Sequence, residues 1–154
     1  GSEMCIRDSL ENARKACEKF RGMPVSIMNF PEGTRFSPGK RDRNKVPYRN
    51  LLIPRIGGVG QVFYALSEEL DALVDVTIAY PQHGLDKPAP TFWDLLCGRI
   101  PRIVVRVEKR DIPPGLLGRN FRKDRAFRKD LEAWINSIWV EKDRLLDELK
   151  PGSE

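Results

Sequence analysis

Apolar positions along the chain change period several times, and each change marks the passage from a helix to a strand or back. Leu10, Ala13, Cys17 and Phe20 recur at helical spacing from about Asp8 to Arg21, and Asp8 with Glu11 fits a capping box. Gly22 and Pro24 close that helix, after which Val25 to Phe30 has the short apolar character of a strand. Gly57-Gly58 opens a second helix through Val62, Phe63, Leu66 and Leu70, whose spacing makes one buried stripe. Leu73 to Tyr80 reads as the next strand, rich in β-branched residues and stopped by Pro81. Beyond a loop containing Pro88 and Pro90, the positions Phe92, Leu95 and Leu96 suggest a short helix. Arg102 to Val107 makes another strand, in which Ile103, Val104 and Val105 predict a buried position. Phe127, Leu131, Trp134, Ile135, Ile138, Trp139, Leu145, Leu146 and Leu149 form the apolar face of a long final helix. Its two tryptophans are expected as core anchors, with a membrane interface as the second reading.

This alternation predicts an α/β layered fold with a mixed β-sheet flanked by helices. A chain of 154 residues allows one domain with a moderate core, expected over residues 10–149, followed by a frayed tail at 150–154. Residues 1–9 resemble a translated adapter remnant, with a natural polar leader as the alternative, and are set aside from the fold reading. The loop from Arg35 to about Pro54 is long for a compact domain, which signals function or disorder. No segment approaches the apolar length needed to cross a bilayer. Cys5, Cys17 and Cys97 are odd in number and scattered, so neither a disulfide framework nor a zinc site is indicated.

The net charge is +5, and its distribution says more than its sum. Lys40, Arg41, Arg43, Lys45 and Arg49 lie between Arg35 and Arg55 with Asp42 as the acidic residue among them. Arg119, Arg122, Lys123, Arg125, Arg128 and Lys129 form a second group. Such clusters attract anionic partners: a phospholipid surface, the phosphates of coenzyme A, or nucleic acid. Nucleic acid is not expected, since no zinc-finger spacing, RNA-recognition motif or basic zipper is present.

The run Phe30-Pro31-Glu32-Gly33-Thr34-Arg35 places a carboxylate and a guanidinium around a glycine turn. Gly33 lets main chain approach a ligand closely, and Pro31 fixes the entry angle. Arg35 offers a planar fork that matches phosphate oxygens two at a time, while Glu32 can orient that fork or accept a hydrogen bond from a substrate hydroxyl. By spacing alone the run reads as a Pro-Gly turn with a surface ion pair. The wider run Phe-Pro-Glu-Gly-Thr-Arg-Phe with Ser37-Pro38 resembles a hallmark block of the glycerophospholipid acyltransferase superfamily, which includes the 1-acylglycerol-3-phosphate acyltransferases. The resemblance continues through Asn50 to Arg55, Gly57-Gly58, Val74 to Pro81, Arg102 to Val105, and Trp134 to Leu146. It covers nearly everything from Leu10 to Leu149 and is most similar to a bacterial, membrane-associated branch.

The resemblance implies that Glu32, Gly33, Thr34 and Arg35 bind the acceptor, with Arg35 on its phosphate. It implies transfer of a fatty acyl group from acyl-CoA or acyl carrier protein to a lysophospholipid or glycerol phosphate, with no metal or redox cofactor. Further implied partners are an anionic membrane surface and, as location, the cytoplasmic face of the bacterial inner membrane. The family's catalytic pair is a His followed five positions later by an Asp, upstream of this block. Here the single histidine, His83, lies downstream at the wrong spacing and reads as a loop residue. The expectation is therefore a C-terminal part of a longer enzyme, inactive alone and prone to association through an exposed sheet edge. The later strand has Val76-Thr77-Ile78 where many members carry Val-Pro-Val, and is closer to a subset with Asp-Val-Thr. The competing readings are a non-catalytic basic module binding anionic lipid or nucleic acid, and an acyltransferase relative that has lost catalysis.

Overall fold

A computed structural model of the chain describes residues 19, 22–24, 26–81 and 90–149. In chain order these form helix α1 (Pro38–Arg43), helix α2 (Gly57–Ala65), strand β1 (Leu73–Ala79), helix α3 (Phe92–Leu96), strand β2 (Val104–Arg110), a 3-10 turn at Pro114–Leu116 and helix α4 (Arg125–Glu148). β1 and β2 pair as an antiparallel two-stranded sheet, so the α/β class expected from the sequence is the one observed. The helix expected from Asp8 to Arg21 lies almost wholly outside the described residues, as do Cys5, Cys17 and His83.

Two sequence expectations are corrected. Ser26 to Phe30 is irregular and exposed, not a strand. An apolar run becomes a strand only where a neighbour takes up its backbone hydrogen bonds, and the described sheet is β1 with β2 alone. The second correction concerns the strand expected from Arg102 to Val107, where Ile103 and Val105 are exposed although burial was expected. A run of β-branched residues announces a strand, but burial needs a layer on each face. The long loop after Arg35 also contains a helix that the apolar pattern did not announce: α1 begins at Ser37, whose hydroxyl accepts from the Lys40 N–H, with Pro38 at its first position.

The chain divides into two compact units, Gly1–Pro31 with Arg55–Leu73 and Arg110–Ile135, and Glu32–Pro54 with Val74–Lys109 and Asn136–Glu154. The first unit is built on α2 and the opening turns of α4. Val59, Phe63, Ala65, Leu66, Leu116, Phe127, Leu131 and Ile135 are buried there. Gly60 lies against the Phe121 ring, where a Cβ would collide, which explains glycine at a helical position that propensity disfavours. Asp124 caps α4 by accepting from the Phe127 N–H, and Arg119 clasps Asp124 and Asp130 while lying over the Phe127 ring.

The second unit contains the sheet, α1, α3 and the last turns of α4. Its apolar core is Tyr48, Leu51, Leu52, Ala79, Ile138 and Trp139, joined by the buried polar residues Asn50, Asp75, Thr77 and Lys142. β1 buries Asp75, Thr77 and Ala79 and exposes Val74, Val76 and Ile78, the reverse of what polarity alone assigns. The cause is Lys142 on α4, whose ammonium pairs with Asp75, donates to the Val76 carbonyl at 3.1 Å and lies 5.2 Å from the centre of the Trp139 ring. The segment before α2 is tied to the same helix: the N–H groups of Arg49 and Asn50 donate to Asp143, and the Asn50 amide donates to Asp143 and Asp147.

Removing one partner of a buried pair leaves the other charge uncompensated. Asp75→Ala is expected to lower stability by about 3–5 kcal/mol, while the double replacement Asp75→Val with Lys142→Met recovers most of that loss. Urea unfolding midpoints of the wild type, the single variant and the double variant check this; equal losses in both variants would contradict it.

Candidate functional site

Glu32, Gly33, Thr34 and Arg35 all lie in the second unit, on the turn that leads into α1. Gly33 has φ 66°, a left-handed conformation that a side chain would strain, so the glycine at this place is a backbone requirement. Pro31 precedes the turn, and its carbonyl accepts from the Arg55 N–H at 2.7 Å. Phe30 is exposed and gives the turn no packing support.

Across Gly33 the two charged residues go different ways. Glu32 is half-buried, and its carboxylate partners are the Leu52 N–H and the charge of Lys142, not Arg35. Burial pushes the Glu32 carboxyl up to about 7, because desolvation disfavours the charged form more than the Leu52 hydrogen bond and Lys142 favour it. Lys142 helps only in part, since Asp75 already balances its charge. The Leu52 N–H is itself held in place, because the Leu52 carbonyl accepts from the Trp139 indole at 3.1 Å. A half-buried carboxyl that titrates near neutrality, beside a turn, can accept or donate a hydrogen bond to a substrate hydroxyl.

Thr34 and Arg35 sit on the exposed side of the turn. Lys40, one turn into α1, reaches back so that its ammonium donates to the Thr34 hydroxyl at 2.7 Å and to the Arg35 carbonyl at 3.1 Å. This pins the backbone of Arg35 while its guanidinium stays on the surface. Arg41 donates to the Arg49 carbonyl and pairs with Asp42, so part of the basic loop's charge serves the loop's own conformation. The arrangement gives one inward carboxyl, one outward guanidinium and an adjacent ammonium already engaged with Thr34 and the Arg35 carbonyl. Among the described residues no cluster of His, Cys, Asp or Glu could hold a metal ion.

Sequence reading found the turn but missed Lys40, Leu52 and Lys142 as its supports. The spacing of Thr34 and Lys40 across a Ser-Pro helix start was the available signal for Lys40. Nothing local signalled Leu52 or Lys142, which meet Glu32 only through tertiary structure.

A carboxyl whose folded-state pKa exceeds its unfolded value binds a proton more tightly when folded. Its stabilising contribution is present below the ordinary value of 4.5 and is lost as pH rises through about 7. Unfolding midpoints measured across this window should fall with pH in the wild type and lose that component of the slope in Glu32→Gln.

No protein-family model and no solved structure matches the chain significantly. Among characterised proteins, it is 31% identical over 137 residues to lysocardiolipin acyltransferase 1 of Danio rerio, covering 80% of this chain and 31% of that protein. It is 27% identical over 140 residues to the 2-acyl-1-lysophosphatidylinositol acyltransferase of Saccharomyces cerevisiae, covering 80% of this chain and 32% of the relative. It is 24% identical over 145 residues to 1-acyl-sn-glycerol-3-phosphate acyltransferase epsilon of Mus musculus, covering 82% and 36%. The chain thus spans about a third of the length of the curated relatives it matches. It is a distant homologue of the lysophospholipid and 1-acylglycerol-3-phosphate acyltransferases.

Proposed function

We propose that this chain is the acceptor-binding part of an enzyme that transfers a fatty acyl group from acyl-CoA or acyl carrier protein to a lysophospholipid or glycerol phosphate. The observation that carries the reading is the similarity to acyltransferases along about four-fifths of the chain. The names of those relatives differ in headgroup but share a lysophospholipid acceptor, which presents a phosphate beside a free glycerol hydroxyl. In this reading Arg35 contacts the phosphate through its planar fork, with Lys40 fixing the backbone that carries it. Gly33 lets the main chain come close, Thr34 offers a hydroxyl, and Glu32 orients the acceptor from the inner side of the turn.

The acceptor oxygen would attack the thioester carbonyl; the new C–O bond replaces the C–S bond, and the hydroxyl proton ends on the departing thiol. The general base expected for that proton is a His oriented by an Asp, supplied by sequence outside these 154 residues. Such assistance contributes roughly 10²–10⁴-fold in rate. No metal or redox cofactor enters the reaction. The setting proposed is the cytoplasmic face of the bacterial inner membrane. That detail comes from the sequence resemblance alone; the relatives named above are eukaryotic. No helix among the described residues is long and apolar enough to cross a membrane.

In the full-length enzyme, Arg35→Ala should raise the KM for lysophosphatidate by about ten-fold or more, the order expected for loss of a charge-assisted hydrogen bond. The KM for the acyl thioester should stay put, and unchanged kinetics for both substrates would remove Arg35 from the site. The purified 154-residue chain should show no acyl transfer in a radiolabelled acyl-CoA assay. Turnover by that chain, free of contaminating enzyme, would mean the chemistry lies elsewhere.

A further inference from the structure

Helix α3 holds its shape without burying anything. Thr91 caps it by accepting from the Asp94 N–H, and the Asp94 carboxylate accepts in return from the Thr91 N–H and hydroxyl. Those local bonds keep the short helix formed while its large apolar side chains face water: Phe92 and Trp93 are each 70% exposed, Leu96 60% and Leu95 48%. Exposed apolar surface this concentrated marks a contact surface. The same unit also exposes Ile103, Val105 and Val107, and Val74, Val76 and Ile78 of β1.

The charges around it select the partner. From Pro90 to Arg110 the chain carries Arg99, Arg102, Arg106, Lys109 and Arg110 against Asp94 and Glu108. Both acids are engaged locally, Asp94 in the helix cap and with Arg99, and Glu108 with Arg106. A short aromatic and aliphatic helix in a segment with an excess of arginine and lysine is complementary to a bilayer interface. There Trp and Phe settle at headgroup depth and cations meet lipid phosphates. A protein surface able to cover the same residues would need an apolar patch with an acidic rim.

We propose that α3 is an interfacial anchor that inserts Phe92, Trp93 and Leu96 among the headgroups of an anionic bilayer, with Arg102 and Lys109 facing the lipid phosphates. This deepens the acyltransferase reading and rests on it for the reason a lipid surface must be reached. The binding itself is measured without turnover, so its failure and the failure of acyl transfer are separate results.

The purified chain is mixed with vesicles of phosphatidylcholine alone and of phosphatidylcholine with phosphatidylglycerol, and binding is read by co-sedimentation and by tryptophan emission. Preferential binding to the anionic vesicles with a blue shift is expected. The triple variant Phe92→Ser, Trp93→Ser, Leu96→Ser should bind at least ten-fold more weakly with an unchanged circular dichroism spectrum. Trp93→Phe should keep the binding and lose the blue shift, a result that stands even if the triple variant misfolds. The proposal is overturned by absence of wild-type binding, by equal binding of a folded triple variant, or by a blue shift that survives Trp93→Phe. It is overturned equally if sedimentation velocity shows a dimer that needs these residues while vesicles are ignored.

Discussion

The ion pair between Lys142 and Asp75 decides which way β1 faces, and the arrangement of the second unit depends on it. Two opposite charges inside a protein are costly to desolvate and persist only where geometry and further hydrogen bonds offset that cost. Here the ammonium also reaches the Val76 carbonyl and the Trp139 ring, so its donors are well used. Because side chains alternate along a strand, turning Asp75 toward α4 turns Thr77 and Ala79 with it. Val74, Val76 and Ile78 are then obliged to face outward. A register shifted by one residue would bury the valines and leave Lys142 without its carboxylate.

The same stretch of α4 organises the candidate site. Trp139 holds the Leu52 carbonyl, Leu52 offers its N–H to Glu32, and Lys142 adds its charge to the Glu32 environment. Asp143 and Asp147 take up the donors of Arg49 and Asn50 just ahead of Leu52. Four consecutive helical turns are not needed for this; positions 139, 142, 143 and 147 lie on one face by the helical repeat. A turn that looks like an independent surface feature is thereby attached to the core on its Glu32 side and tied to α1 by Lys40 on its Arg35 side.

The outward valines of β1 follow from that choice, and the exposed valines of β2 and the apolar side chains of α3 belong to the same unit. On a surface facing water this is unfavourable, and it is the observation behind the proposed interfacial anchor. Apolar groups beside arginines are the side chains that a headgroup layer accommodates.

The sequence by itself determined the α/β class, the positions of β1, α3 and α4, and the need for glycine at residue 33, because these follow from local periodicity and backbone geometry. Its motifs also pointed to the acyltransferase relationship, since the spacing of Phe30 to Arg35 and the blocks after it are written in the chain. Only tertiary structure decided that Ser26 to Phe30 has no strand partner among the described residues, that β2 lies open, and that β1 buries its polar face. It alone brought Lys142 and Leu52 to Glu32 from far along the chain. Burial and ionisation depend on what packs opposite a residue, and for β1 the deciding charge stands 67 residues away on α4, as the numbers 75 and 142 record.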